Sequence, residues 1–364
     1  MTKGKCFCII NLKRYKKIKT RIIYLKDIFL KENETLQKYG GPMATMKDVA
    51  RLAGVSLGSV SNVINGKTVK PETFDKVKAA IEELNYEKND LASTFKTNRS
   101  KTIGLIIPTV WHPFFAEIAF HLEEELQNHG YKLLLCNSNN DLESEKDYIQ
   151  MLRQNMIDGI IAISYSDIEV LINSNLPFVS IDRIFNKNVN FVSSQNYEGG
   201  YLAGETLVKK GAKNLLFIGS HNQFVNTTMD RRKGFEDFCK DKKIKYQVID
   251  YPEPFDIDEE DVFKVFRENP DIDGIFTISD LMALDLIKIL EKIGKYPIKD
   301  YQLIGFDGIR LGARRDYLVS TIAQPIEEIT KNSVRILLKS IEDEDYQESL
   351  YLEVCFKEGG TTRK

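Results

Sequence analysis

The chain has 364 residues, 51 basic and 53 acidic side chains, a formal net charge of -2 and 42% hydrophobic residues. That is the composition of a globular protein long enough for two or three compact units. No stretch approaches the run of about 18 uncharged apolar residues that a membrane helix needs, so an integral membrane protein is excluded. Five cysteines, Cys6, Cys8, Cys136, Cys239 and Cys355, lack zinc-like pairing; their scatter and odd number fit free thiols in a reducing cytoplasm.

The small net charge hides a polarity along the chain. Residues 1–42 hold 11 basic and 3 acidic side chains, residues 43–100 hold 9 and 7, and residues 101–364 hold 31 and 43. A basic front on an acidic body is expected where one end meets nucleic acid and the other must not.

Residues 1–42 interleave Lys and Arg with Ile, Leu and Tyr, a pattern open to a basic amphipathic helix. A secretory signal fits poorly, because no uninterrupted apolar core precedes a small-residue cleavage site. A further reading starts from "KYGGPM": a codon series such as TAT GGA GGA CCT ATG would set a ribosome-binding GGAGG just ahead of Met43. On that reading residues 1–42 are a leader included by a mis-set start codon, outside the fold.

From Met43 the pattern becomes helical. Thr45 with Asp48 three residues on forms a capping-box-like start for "MKDVARLA", and Gly54 suits the left-handed position after a helix end. Ser56 then caps "LGSVSNVIN", whose Val60, Val63 and Ile64 can pack inward. Helix, short Gly-containing turn, helix is a helix-turn-helix. A third helix follows, with Pro71 near its start and Phe74, Val77, Ile81 and Leu84 as an apolar stripe. The second helix presents Leu57, Gly58, Ser61 and Asn62 outward. A thymine methyl in the major groove would receive Leu57, and Ser61 and Asn62 suit phosphates and base edges. A helical Gly at position 58 costs about 1 kcal/mol relative to Ala, which close backbone approach to DNA would justify.

Residues 43 to about 360 resemble the lactose/galactose repressor (LacI/GalR) family, most specifically through "ATMKDVARLAGVSLGSVSNVINGK" and "VKPETFDKVKAAIEELNY". The resemblance implies a helix-turn-helix domain over 43–88, in which Leu57, Gly58 and Asn62 read bases and Thr45, Ser59, Ser61 and Asn65 contact the DNA backbone. It also implies a hinge helix over 89–100, with Ala92 and Phe95 at the minor groove, Phe95 acting as an apolar wedge. Lys88 stands where the family usually has Pro, Asp90 adds a negative charge, and Phe95 replaces the usual Leu.

Beyond residue 100, short apolar runs alternate with amphipathic segments: 103–108, 132–136, 158–164, 177–181, 214–219 and 273–279. That alternation predicts parallel strands with helices on both faces. "RQNMIDGIIAIS" (153–164) and "RENPDIDGIFTIS" (267–279) are near copies, so two doubly wound lobes with a cleft between them are expected, over about 101–190 plus 325–342 and 191–322 plus 345–360. Ligands in such sheets sit beyond the carboxyl ends of the strands. There lie Trp111 to Phe115, Ser164, Asp182, Arg183, Ser279, Asp280 and Asp307, a mixture of carboxylates, Arg and aromatic faces suited to a sugar.

The family resemblance implies a periplasmic-binding-protein-like effector domain, with Arg231 of "RRKGF" as ligand clamp. It sets Asp182, Ser279, Asp280, Asp307 and Gln324 at or beside the pocket, with Thr227 and Tyr251 nearby. The combination of "HPFFAEI", "LLLCNS", "SIDR" and "VSSQNYEGG" is most similar to repressors of sucrose or related oligosaccharide operons.

An enzyme is not expected: His112, His121, His129 and His221 form no H-x-x-x-H pair, and no nucleotide-binding or nucleophile-elbow motif occurs. No metal or other cofactor is expected. The implied function is a homodimeric cytoplasmic repressor that binds near-palindromic double-stranded operator DNA and responds to a small sugar. A catabolite-type regulator needing a phosphoprotein co-repressor is one alternative, and a sugar-binding protein of transport the other.

Overall fold

The computed structural model describes residues 44–86, 99–172, 176–185, 189–224, 226–253, 256–312 and 315–364. The expected leader over 1–42 and the hinge positions Ala92 and Phe95 lie outside those residues. The chain divides into two units at Ala92/Ser93.

The smaller unit is three helices: α1 (Met46–Ala53), α2 (Leu57–Ile64) and α3 (Pro71–Glu83). Thr45 caps α1 in a complete capping box: its hydroxyl accepts from the Asp48 amide, and its own amide and hydroxyl donate to the Asp48 carboxylate. Gly54 ends the helix at φ 63°, where a side chain would be strained. Val49, Ala50, Val60, Val77 and Ala80 form the buried centre, with Val63, Ile64, Ile81 and Leu84 packed against it. Phe74 departs from the expected stripe. It is 46% exposed, because at the first turn of α3 it lies beyond the reach of the α1–α2 pair.

The larger unit is built on two six-stranded sheets. In chain order its elements are β1 (Thr102–Ile107), α4 (Pro113–Asn128), β2 (Lys132–Asn137), α5 (Leu142–Gln154), β3 (Gly159–Ala162), β4 (Phe178–Ile181), β5 (Asn190–Ser194) and α6 (Asn196–Lys209). There follow β6 (Asn214–His221), α7 (Asp230–Lys242), β7 (Lys245–Pro252), α8 (Glu259–Glu268), β8 (Gly274–Thr277), α9 (Asp280–Glu291) and β9 (Gln302–Asp307). The chain ends with β10 (Thr321–Ala323), α10 (Ile326–Glu342), β11 (Ser349–Leu352) and β12 (Cys355–Lys357).

The first sheet runs β11-β5-β4-β3-β1-β2 and the second β12-β10-β9-β8-β6-β7. All pairings are parallel except β10 with β12. The central strands are buried along their whole length, except for the last residue of β6, which is why they read as continuous apolar runs.

Three crossovers join the lobes, after β5, after β10 and after β11. The lobe limits expected from sequence shift accordingly. Residues 190–194 form β5 of the first sheet, and β11 (Ser349–Leu352) also pairs there, although 191–194 and 349–352 are expected from sequence in the second lobe. The reason is polar composition: β5 is Asn-Phe-Val-Ser-Ser, and its buried Asn190, Ser193 and Ser194 are held by side-chain hydrogen bonds instead of marking an apolar run. The last residues also differ from a simple tail. Thr361 exchanges hydrogen bonds with Leu303, and the Arg363 amide donates to Gln302 Oε1.

Candidate functional site

In the three-helix unit the exposed end of α2 carries Leu57 (44% exposed), Gly58 and Asn62. A Cβ built on Gly58 would meet only Ser56 Oγ, at 3.8 Å, and its backbone is ordinary helix, so nothing inside this fold requires glycine there. The smaller polar residues are engaged locally. Ser59 Oγ lies 2.9 Å from the cap residue Ser56, and Asn65 Nδ2 donates to the Ser61 carbonyl at 2.8 Å. Thr45 holds its capping box. These contacts fix the helix ends and leave one apolar side chain, one bare backbone turn and one amide facing out.

In the larger unit a cleft of about 450 Å3 opens between the carboxyl ends of the two sheets. The first lobe contributes His112, Phe114 and Phe115 from the start of α4, Tyr165 after β3, and Asp182 after β4. The second contributes Arg231 at the start of α7, Ser220 in β6, Ile278 and Ser279 after β8, and Asp307 at the end of β9, with the exposed Glu253, Asp256 and Asp285 toward the mouth.

Arg231 is placed by helix packing. A Cβ on Gly234 would fall 1.9 Å from the Tyr197 carbonyl oxygen, and one on Gly200 would fall 1.9 Å from the Arg231 carbonyl oxygen. The two glycines therefore let α6 and α7 touch backbone to backbone, and that contact is the physical content of the R-x-x-G-F motif. From there Arg231 Nε donates to Asn196 Oδ1 (2.7 Å), and Nη1 donates to the Ile278 carbonyl (2.7 Å) and to Asp307 Oδ1 (3.3 Å). Its guanidinium also lies 3.7 Å from the centre of the Phe306 ring.

Asp182 and Asp307 sit at equivalent strand ends, both at positive φ, 58° and 111°. Strained backbone of this kind is characteristic of sites held for a purpose. Burial pushes both carboxyls up, with the Arg231 charge pulling each back in part. Burial pulls the His112 imidazole down, so at neutral pH it is uncharged. Its ring lies against Phe115 at 4.9 Å, and its Nδ1 is buried with no partner among the described residues.

Of the residues expected at the effector site, Phe115, Asp182, Arg231, Ser279 and Asp307 line this cleft. The others do not, each for a definite reason. Trp111 is 91% exposed, because Pro113 starts α4 at once and turns His112, not Trp111, toward the cleft. Ser164 and Arg183 lie beneath the first lobe's wall. Ser164 Oγ donates to the buried Glu145 at 2.5 Å; Arg183 donates to the Ser164 and Ser166 carbonyls and stacks on Phe185 and Phe224.

Thr227 is buried at the lobe crossover, with its hydroxyl donating to the Asp182 carbonyl at 2.8 Å. Gln324 joins the same region: it accepts from Ser194 Oγ at 2.7 Å and donates to Asp307 at 2.9 Å. Asp280 is fully buried and accepts the Gly308 and Ile309 amides, so it shapes the loop after Asp307. Tyr251 is on the edge strand β7, its hydroxyl 3.5 Å from the Asp258 carbonyl. Sequence reading missed Tyr165, Glu253, Asp256 and Asp285 as lining residues. Their positions beyond β3, β7 and within α9 carry no motif.

Among the described residues no His, Cys, Asp or Glu cluster could hold a metal ion, and no helix is long and apolar enough to cross a membrane. Cys136 and Cys239 are free and buried, and Cys355 is free and exposed.

Comparison with known proteins places the two units of the chain in one family. Residues 45–89 match the family described as bacterial regulatory proteins, lacI family, and residues 100–330 match periplasmic binding proteins and the sugar binding domain of the LacI family. The ribose operon repressor of Halalkalibacterium halodurans is 37% identical over 82% of this chain and 91% of its own length. The sucrose operon repressor of Streptococcus mutans serotype c is 35% identical over 87% of this chain and 99% of its own. Among solved structures, a periplasmic binding protein/LacI transcriptional regulator from Alkaliphilus metalliredigens QYMF, complexed with D-xylulofuranose, aligns with TM-score 0.63 and 32% identity over 72% of this chain and all of its own. The lac repressor dimer bound to operator shares the fold, with TM-score 0.76 at 21% identity over 88% of this chain and 99% of its own. The chain belongs to the lacI family of bacterial regulatory proteins, DNA-binding transcriptional regulators rather than enzymes.

Proposed function

We propose that this chain is a homodimeric, cytoplasmic repressor of a carbohydrate-utilisation operon, whose affinity for a near-palindromic operator changes when a small sugar occupies the interlobe cleft. One observation carries the reading: Arg231 and Asp307, on one lobe, face His112 and Phe115, on the other, across a cavity of about 450 Å3. A planar charged pair suits vicinal hydroxyls and an aromatic face suits the C–H side of a sugar ring. The names of the ribose and sucrose operon repressors support the same class of ligand.

On the DNA side, Leu57, Gly58 and Asn62 read bases, while Thr45, Ser59, Ser61 and Asn65 fix the helix ends against the phosphates. Two copies reading two half-sites would mirror the operator's symmetry. Sugar binding draws the lobes together and alters their relation at the dimer interface. Coupling of this kind amounts to about 1 to 3 kcal/mol.

Fluorescence anisotropy of a labelled operator, with and without sugar, tests the reading on wild type and Arg231→Ala. The variant is expected to bind operator and ignore every sugar that shifts the wild-type curve. Loss of operator binding as well would assign Arg231 a structural role instead.

A further inference from the structure

The charge arrangement around the cleft narrows the ligand beyond "a sugar". Five carboxylates line it: Asp182 and Asp307 at the floor, and Glu253, Asp256 and Asp285 toward the mouth. Against them, among the described residues, stands one lining cation, Arg231, and no lysine. The Arg231 Nε and Nη1 protons are engaged by Asn196, the Ile278 carbonyl and Asp307. Arg183, which follows the lining Asp182 in the chain, is engaged by the Ser164 and Ser166 carbonyls and lies over two phenylalanine rings. Lys288 sits one turn from Asp285 on α9 and pairs with it at 3.0 Å on the exposed face, outside the lining.

The remaining polar groups are neutral. His112 presents a buried, unpartnered Nδ1, and Ser279 and Tyr165 present hydroxyls. Ser220 Oγ donates to Glu253 at 2.8 Å and Asn222 Nδ2 donates to the same carboxylate at 3.2 Å, which holds that acid in place. A phosphate ester entering here would lose water and meet like charge at the mouth, and the one cation behind it among the described lining residues, Arg231, is already paired with Asp307. A hydroxyl entering the same space would find acceptors on the carboxylates and either role at the imidazole.

We infer that the cleft takes an uncharged polyhydroxylated ligand and excludes its phosphate ester, with Glu253, Asp256 and Asp285 acting as an anion filter at the mouth. This rests on the reading of the cleft as the effector site. It names three specificity-determining residues that no motif in the sequence marks.

Isothermal titration of the full chain tests it, with ribose, fructose, glucose and sucrose set against ribose 5-phosphate, fructose 6-phosphate, glucose 6-phosphate and sucrose 6-phosphate. A sugar that binds is expected to outbind its own ester by roughly 100-fold. In the variant Glu253→Gln/Asp256→Asn/Asp285→Asn that ratio is expected to fall at least about tenfold. All three side chains belong to exposed residues, and an unchanged melting temperature checks that the variant folds. An ester that binds as tightly as its sugar, or a ratio unmoved in the variant, overturns the filter while leaving the effector site standing. Failure of every sugar and every ester, with operator binding intact, overturns the sugar reading and the filter with it.

Discussion

The two lobes carry the same strand order, apart from the direction of the last edge strand, and differ most at the carboxyl ends of their strands. At the amino ends of the strands they use the same device. Asp158, just before β3, accepts the Ser100 amide at 2.7 Å and the Lys101 amide at 3.3 Å; Asp273, just before β8, accepts the Lys213 amide at 2.7 Å and the Asn214 amide at 2.9 Å. Gly159 and Gly274 follow them and open the matching strands in the same register against β1 and β6. At the carboxyl ends the lobes differ. The first closes over Glu145, Ser164 and Arg183 as an internal polar cluster, and the second leaves Arg231, Ser279 and Asp307 open to the cleft. The repeated segments thus keep the end that starts the sheet and vary the end that meets a ligand.

The widest break in that symmetry is the contact of α6 with α7, which belongs to the second lobe alone. Gly234→Ala would drive a methyl into the Tyr197 carbonyl, and we expect a loss of about 3 kcal/mol in urea unfolding. A neutral outcome would show that α7 can move and that Arg231 is not positioned by the glycine contact.

The shared device should give equal losses in the two lobes. Asp158→Ala and Asp273→Ala each remove a carboxylate from two backbone amides, and each is expected to cost about 1.5 to 3 kcal/mol by the same measurement. Losses differing by more than about 1 kcal/mol would break the equivalence of the repeats.

A smaller effect, opposite in sign, is expected at the cleft. Burial raises the Asp182 carboxyl above its ordinary 3.8, so the folded state holds that proton more tightly than the unfolded chain. Ionisation therefore lowers stability as pH rises from 3.8 through the folded value. Asp182→Asn should melt higher than wild type at pH 7, with the gain shrinking as pH falls toward 3.8, while the sugar response is lost. A gain independent of pH would mean that packing, not charge, is responsible.

The smallest effect contrasts the three-helix unit with both lobes. Gly58→Ala has open space for its methyl, so helix propensity alone predicts stabilisation by up to about 1 kcal/mol. Operator affinity, read by anisotropy, is expected to fall. Affinity unchanged or improved would remove close backbone approach as the reason for glycine.

Much of this molecule could be read in one dimension. The Thr45 capping box, the Gly54 helix end and the inward Val60 and Val77 are local patterns, settled within a few residues by hydrogen-bonding chemistry and helical period. All six apolar runs became strands; five are buried, and a strand covered on both faces has no polar side to alternate, while the sixth, β2, is an edge strand that leaves Leu134 and Leu135 exposed. Edge and polar strands were harder: β7 is only partly buried along most of its length, β11 alternates between exposed and half-buried residues, and β5 buries serines that a hydropathy reading takes for a loop.

The sequence by itself determined the family, the helix-turn-helix and the strand ends at which a ligand site could lie. Only the tertiary structure decided which strand-end residues face the cleft. Ser164 and Ser279 follow corresponding strands, yet one turns down to Glu145 and the other caps α9 at the cleft wall. Their directions are set by what packs behind them, a buried glutamate in one lobe and a helix start in the other. Ser279 caps the helix that follows it directly, but Glu145 lies on a separate helix earlier in the chain, so no pattern local to Ser164 could specify its direction.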